Sequence, residues 1–91
     1  MSKKVLFMAL GNYLRVRREK AGYSQVQVSK VLGYGSSQFI SNFERGLCAP
    51  PLIKLKKLVD LYKMPPKEVI GIIMKAQEAE LRSVLKIRKG A

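Results

Sequence analysis

Apolar side chains recur along this chain at steps of three and four residues, and nowhere alternate with polar ones as a half-buried strand requires; the pattern predicts an all-α fold. Leu6, Leu10 and Leu14 share one face of a first helix, and Gly22 is placed to end it after Ala21. Ser24 and Gln27 have the spacing of a capping box for a second helix, with Val28, Val31 and Leu32 as its inward stripe and Gly33 as its stop. Beyond Gly33-Tyr34-Gly35, Ser36 is placed to cap a third helix of about nine residues that runs through Arg45 and stops at Gly46. Pro50 and Pro51 suit the start of a fourth helix with one apolar face of Leu52, Leu55, Leu58, Val59 and Tyr62. Pro65 and Pro66 then open a fifth segment that nothing interrupts before Gly90. That last segment is too long to be a cap on a small bundle. Residues 1–66 are therefore expected to form one domain and residues 67–91 an extended C-terminal helix, with the first five and last three residues frayed.

Length and charge narrow the function. Ninety-one residues make one small module and exclude a multi-domain enzyme, while 47% hydrophobic residues suffice for a core. Eighteen Lys and Arg against six Asp and Glu give a net charge of +12, an imbalance that calls for an anionic partner, with nucleic acid the leading candidate. The chain has no His and one Cys, which removes His-dependent base catalysis, the common zinc ligand sets and any internal disulfide, and fits a reducing compartment. An enzyme would have to work from Ser, Lys, Cys and Tyr with almost no carboxylates, so neither a catalytic site nor a metal or other cofactor is expected. The apolar run Val5 to Leu10 is too short for a signal-peptide core or a bilayer span, so a cytoplasmic protein without membrane attachment is expected, nucleoid-associated when on DNA.

Drawn as a wheel, the third helix has two faces of opposite character. Phe39, Ile40 and Phe43 lie together as a core anchor, while Gln38, Ser41, Asn42 and Arg45, at i, i+3, i+4 and i+7, form a wholly polar face. Gln and Asn can each bond adenine in the major groove through two hydrogen bonds, Arg can do so to guanine, and Ser is short enough to let the helix approach. An ordinary solvated face is the alternative, although such faces usually carry more Lys and Glu than this one.

The charge is also unevenly placed. Residues 1–23 carry six basic and one acidic residue, whereas residues 24–46 carry two and one. A nearly neutral reading helix between basic flanks is the arrangement expected if phosphate contacts position the protein and uncharged groups read base edges. Arg15, Arg17, Lys20, Lys54, Lys56 and Lys57 are candidates for the phosphate contacts. Arg18 continues the Leu10 and Leu14 stripe and so points inward, where it needs a carboxylate. Glu44 is the acidic residue bordering the inward face of the third helix, so the two are expected to form a structural pair. Cys48, with no His partner, is read as incidental.

The run Arg18-Glu19-Lys20-Ala21-Gly22-Tyr23-Ser24-Gln25, then Leu32-Gly33, Ile40-Ser41, Phe43-Glu44-Arg45-Gly46, Pro50 and the Leu52, Leu55, Leu58 repeat resembles the phage repressor and Cro-like helix-turn-helix family of transcriptional regulators. The likeness covers about residues 6–70. It implies a five-helix repressor-like DNA-binding domain with the third helix in the major groove. It also implies that Gln25 touches a phosphate and braces the first reading residue, and that Arg18 and Glu44 are the pair joining the first and third helices. Ser37, Gln38, Ser41 and Asn42 fall on the family's base-reading positions when counted back from Glu44, with Arg45 beside them and Ser36 added to the phosphate-binding set. Between Leu32 and Ile40 the chain has one residue more than the usual family spacing, and counting forward from Leu32 shifts that register by one.

The second departure from the family is the segment beyond Ile70. Ile70, Met74, Gln77, Leu81, Val84 and Arg88 alternate steps of four and three, with Ile73 and Leu85 beside the seam, a heptad-like pattern that suits dimerisation. Packing back on the chain's own core and adsorption to an anionic membrane are the alternatives, the latter opposed by Glu78 and Glu80. The function expected is a sequence-specific, DNA-binding regulator, a homodimeric repressor reading a near-palindromic site on double-stranded DNA. The alternative is an antitoxin or adaptor of the same fold whose C-terminal helix binds another protein. A non-specific nucleic-acid packing protein would not need the polar face on the third helix.

Overall fold

The computed structural model describes residues 3–86, and side chains from residue 6 onward. Of the ends expected to fray, residues 3–5 instead form the start of the first helix, and the rest, like the heptad position Arg88, lie outside the described residues. Five helices follow in order: α1 (Lys3–Ala21), α2 (Gln25–Leu32), α3 (Gln38–Glu44), α4 (Leu52–Tyr62) and α5 (Pro66–Leu85). Among the described residues there is no strand, and the fold is all-α as the periodicity predicts.

The helix ends follow from local chemistry. Ser24 caps α2 through a full capping box: its Oγ accepts from the Gln27 N–H at 3.1 Å, and Gln27 Oε1 accepts from the Ser24 N–H at 2.8 Å. The first three helices close in the same way, with the residue after a glycine donating five residues back: Tyr23 to Arg18 O, Tyr34 to Ser29 O and Leu47 to Asn42 O. Gly22, Gly33 and Gly46 occupy the left-handed position that this closure requires. The third helix is seven residues long, shorter than the pattern predicts. Ser37 takes the N-cap position without a side-chain bond, and Ser36 Oγ instead accepts from the Gln38 N–H at 3.3 Å.

Leu10 and Leu14 of α1, Val28 and Leu32 of α2, Ile40 and Phe43 of α3, and Leu55, Leu58 and Tyr62 of α4 meet in one core, closed by Met64 and Val69. Three residues expected to face inward are exposed instead. Val31 is exposed because Val28 and Leu32 already fill the buried side of α2, beside Ser29, whose hydroxyl donates to Val26 O at 2.7 Å. Leu52, in the first turn of α4, is 81% exposed, since the helix has not yet reached the core there. Phe39 is 48% exposed at the edge of the domain, stacked on Tyr34.

Two contacts fix α3 against α1. At Gly11 the helices cross so closely that a Cβ would lie 2.4 Å from Phe43 O and 2.8 Å from Glu44 O. Glycine in mid-helix costs stability by itself, so its presence marks the crossing. Two turns later, Arg18 Nε donates to Glu44 Oε2 at 2.6 Å and its NH2 group to Oε1 at 3.1 Å, and its NH1 group donates to Tyr23 O at 2.8 Å. The side chains are 11% and 3% exposed, and the bond to Glu44 raises the Arg18 pKa further. The expected pair is present.

Helix α5 packs along α1 through Val69, Ile73 and Ala76, and the Tyr13 hydroxyl donates to Glu68 Oε1 at 2.7 Å. Ile73, expected beside a dimer seam, therefore faces the core. Ile70, Met74, Leu81, Val84 and Leu85 stay exposed on the adjoining face, as does Gln77.

Gly11→Ala is expected to destabilise the domain by about 1–3 kcal/mol, because backbone rather than a flexible side chain must move. Gly71→Ala meets nothing within 4 Å and is expected to stabilise α5 by about 0.5–1 kcal/mol. Chemical denaturation of both variants checks the pair of signs. Glu44→Ala leaves a buried guanidinium without its carboxylate and is expected to cost about 3–5 kcal/mol. Partial burial and the bond to Glu68 push the Tyr13 phenol from 10.0 up to about 12. The folded state then holds this proton more tightly than the unfolded chain, so the contribution is intact below pH 10 and lost as pH rises through about 12. Melting curves between pH 9 and 12 are expected to fall more steeply for the native chain than for Tyr13→Phe.

Candidate nucleic-acid interface

The polar side of α3 is set by what holds its other side. Ile40 and Phe43 enter the core and Glu44 binds Arg18, which leaves Gln38 and Arg45 exposed and Ser41 and Asn42 half-buried on the outer surface. Asn42 is the hub of that surface. Its Oδ1 accepts from Gln38 Nε2 at 2.9 Å and from the Arg45 NH2 group at 3.0 Å. The three side chains are thereby linked in one row, and the Asn42 amide nitrogen, the Gln38 carbonyl oxygen and the other Arg45 N–H groups make no hydrogen bond among the described residues. Such a row offers donors and acceptors in the pattern that base edges present in a major groove. Ser37 stands at the start of the row, half-buried at the N-cap position.

Ser41 and Arg45 also form one wall of an open groove of about 440 Å³, whose other walls are Met8, Asn12 and Arg15 of α1 and Gln25 at the start of α2. Gln25 Nε2 donates to Glu44 Oε1 at 3.0 Å, so the start of α2 is tied to the same carboxylate as α1. Gln25 thus braces Glu44 rather than a reading residue. Arg15 is exposed, and its NH2 group donates to Asn12 Oδ1 at 3.3 Å. Asn12 was not among the expected site residues. Its signal was the i, i+4, i+7 spacing of Met8, Asn12 and Arg15 on the side of α1 away from Leu10 and Leu14.

The remaining cations divide by occupation. The Arg17 NH2 group donates to Lys63 O at 2.8 Å and Tyr62 O at 3.4 Å, covering the last carbonyls of α4 where Lys63 adopts a left-handed conformation. Arg17 therefore serves as a helix cap, and with Lys20 and Lys63 it borders a second open groove of about 330 Å³. Lys54 Nζ donates to Leu32 O at 2.6 Å and lies 5.1 Å from the centre of the Tyr34 ring. Lys56 pairs with Asp60 at 2.7 Å in an exposed i, i+4 bridge, and Lys57 is exposed on the same helix. Of the expected phosphate-binding side chains, Arg15 and Lys57 bond neither a backbone group nor a carboxylate, Gln25 and Lys56 are bonded to the Glu44 and Asp60 carboxylates, Ser36 accepts from the Gln38 N–H, and Arg17 and Lys54 cover helix carbonyls.

No group of three or more His, Cys, Asp or Glu side chains among the described residues is placed to hold a metal ion. Among the same residues, no helix is long and apolar enough to cross a membrane.

Comparison with known proteins covers the same part of the chain. The family profile of the helix-turn-helix domain matches residues 9–69, from α1 into the first turn of α5. The chain is 36% identical over 64 residues to the HTH-type transcriptional regulator ImmR of Bacillus subtilis (strain 168), a stretch that covers 70% of this chain and 50% of that protein. It therefore spans about half the length of this curated relative. No solved structure matches the chain significantly. The matched span contains the capping box of α2, the glycine-ended turn, the Arg18–Glu44 pair and the polar row on α3, and on these grounds the chain belongs to the repressor-like helix-turn-helix family of transcriptional regulators.

Proposed function

We propose that this chain binds double-stranded DNA in a sequence-specific way and regulates transcription as a homodimeric repressor, with α3 in the major groove of a near-palindromic operator. The observation that carries the reading is the row Gln38, Asn42 and Arg45, held to one another through Asn42 Oδ1 and fixed to the core through Glu44. Ser37 and Ser41 flank the row and complete the base-reading set. Arg15, Gln25, Ser36 and Lys57 supply phosphate contacts beside it. The net charge of +12 favours the phosphate backbone, and the near neutrality of residues 24–46 leaves specificity to amide, hydroxyl and guanidinium groups.

Dimerisation is assigned to the exposed face of α5, where Ile70, Met74, Gln77, Leu81, Val84 and Leu85 lie beside the face that packs on α1. A second copy covering these apolar groups would place two α3 helices on one duplex, which a single small domain needs for tight specific binding. The same apolar face also favours a second reading, an antitoxin or adaptor in which α5 grips a different protein.

Fluorescence anisotropy with a duplex from upstream of the chain's own gene and a shuffled control, titrated at several salt concentrations, tests the central claim. A preference of about a thousandfold or more is expected. Equal weak binding to both duplexes would count against it. Asn42→Ala is expected to cost about 1–3 kcal/mol on the preferred duplex and much less on the control, whereas Lys57→Gln weakens both and lowers the salt slope by about one. Met74→Glu combined with Leu81→Glu alters surface positions only, so the domain should stay folded while sedimentation changes from dimer to monomer.

A further inference from the structure

We propose that Lys54 and Tyr34 form a clamp on the turn between α2 and α3, and that Lys54 is a positioning residue for the base-reading row rather than a phosphate ligand. The inference rests on the DNA-binding reading above and assigns a specificity role to two residues outside the row.

The turn needs such a clamp. Five residues, 33–37, separate α2 from α3, two of them glycines, and a link of that composition has freedom that the folded state must remove. The local bonds at the start of α3 are sparse: Ser37 has no side-chain cap bond, and Ser36 Oγ reaches the Gln38 N–H only at 3.3 Å. A helix of seven residues has little propensity of its own to supply the rest.

Tyr34 supplies what the local bonds lack. Its backbone N–H closes α2 on Ser29 O at 2.9 Å, so its Cα belongs to the end of that helix. Its ring stacks on Phe39 with centroids 4.5 Å apart and planes at 17°, and meets Phe43 at 6.1 Å and 60°. Phe39 and Phe43 are successive turns of α3, on the side adjoining Gln38 and Asn42. The ring thus ties the end of α2 to both turns of the short reading helix.

Lys54, from α4, completes the clamp. Its ammonium lies 5.1 Å from the Tyr34 ring centre and donates to Leu32 O at 2.6 Å, in the last turn of α2. A cation is favoured both over a tyrosine face and at a helix C-terminus. Reaching a phosphate would give up both contacts and uncover the Leu32 carbonyl. A rotation of α3 about its axis would shift Gln38 and Asn42 away from the base edges, and the clamp opposes that rotation.

Two measurements on Lys54→Met and Tyr34→Leu test the proposal, with Lys54→Arg as the conservative control. In the free chain, the Ser41 amide bonded to Ser37 O at 3.0 Å reports the first turn of α3. Its hydrogen exchange is expected to rise about tenfold in Lys54→Met and Tyr34→Leu, with the amide of Leu14 unchanged. An unchanged Ser41 rate would overturn the clamp whether or not the chain binds DNA. The second measurement uses a duplex that the native chain selects from a random pool, and a shuffled duplex. Lys54→Met is expected to lose about tenfold on the selected duplex, with little change on the shuffled one and an unaltered salt slope, and Lys54→Arg to restore the loss. Loss on both duplexes with a salt slope lower by about one would make Lys54 a phosphate ligand and overturn the proposal. A native chain that selects no sequence would sink the DNA-binding reading and the specificity role together, while the exchange result still reports on the clamp.

Discussion

Glu44 is a carboxylate with almost no access to solvent, placed where three helices meet, and it has to be satisfied by donors from the protein itself. Arg18 of α1 supplies two of them and Gln25 of α2 a third. A buried ion pair of this kind adds little net stability over an apolar contact of the same volume, but removing one partner leaves an unpaired charge inside the protein. Its value lies in selection among arrangements: α3 cannot rotate or slide without stripping the carboxylate of its donors. Gly11 makes the same demand sterically, because the helices cross backbone to backbone next to the pair. The orientation of the polar row on α3 is therefore set from inside, through a residue that is itself on α3.

That constraint also sorts the charge. A net charge of +12 does not make a uniformly basic surface, because several cations are committed to the fold. Arg18 neutralises Glu44, Arg17 covers the end of α4, and Lys54 covers the end of α2. Each places a cation where helix carbonyls or a carboxylate would otherwise be poorly solvated. Arg15 and Arg45, by contrast, stand on opposite walls of the groove between α1 and α3. Counting basic residues overstates the field available to a polyanion, and the location of each ammonium or guanidinium decides its role.

Much of this was legible in the sequence because local rules govern it. The capping box at Ser24 and Gln27, the glycine that closes each of the first three helices and the inward direction of Arg18 depend on neighbours within one or two turns. Residues whose roles depend on tertiary contact were not legible. Lys54 looks like any exposed lysine until α4 is folded against the end of α2, and Phe39 looks like a core anchor until Tyr34 offers it a ring at the edge. Gly11 gives no sign of its crossing partner, since in sequence it is only a weak point in a helical pattern. Leu52 and Val31 have the correct period for burial but lie at a helix start and on an already filled flank, which periodicity does not register.

Helix α5 carries two apolar faces for different reasons. Val69, Ile73 and Ala76 complete the core along α1, and Glu68 holds Tyr13 at the same junction. Those residues are therefore part of the domain, and an amphipathic helix of ordinary width would end its apolar surface there. Ile70, Met74, Leu81, Val84 and Leu85 widen that surface by a further stripe that the chain does not cover. Single exposed apolar side chains are unremarkable, but several on successive turns form a patch of the kind that partners bury. Because the core face and the exposed face belong to one rigid helix, whatever covers the second is held in fixed relation to α1. Through the Gly11 crossing and the Arg18–Glu44 pair, the orientation of α3 relative to any copy bound on α5 is fixed as well. Spacing between two reading helices would then be a property of the folded chain rather than of a flexible linker, as recognition of two half-sites on one duplex requires.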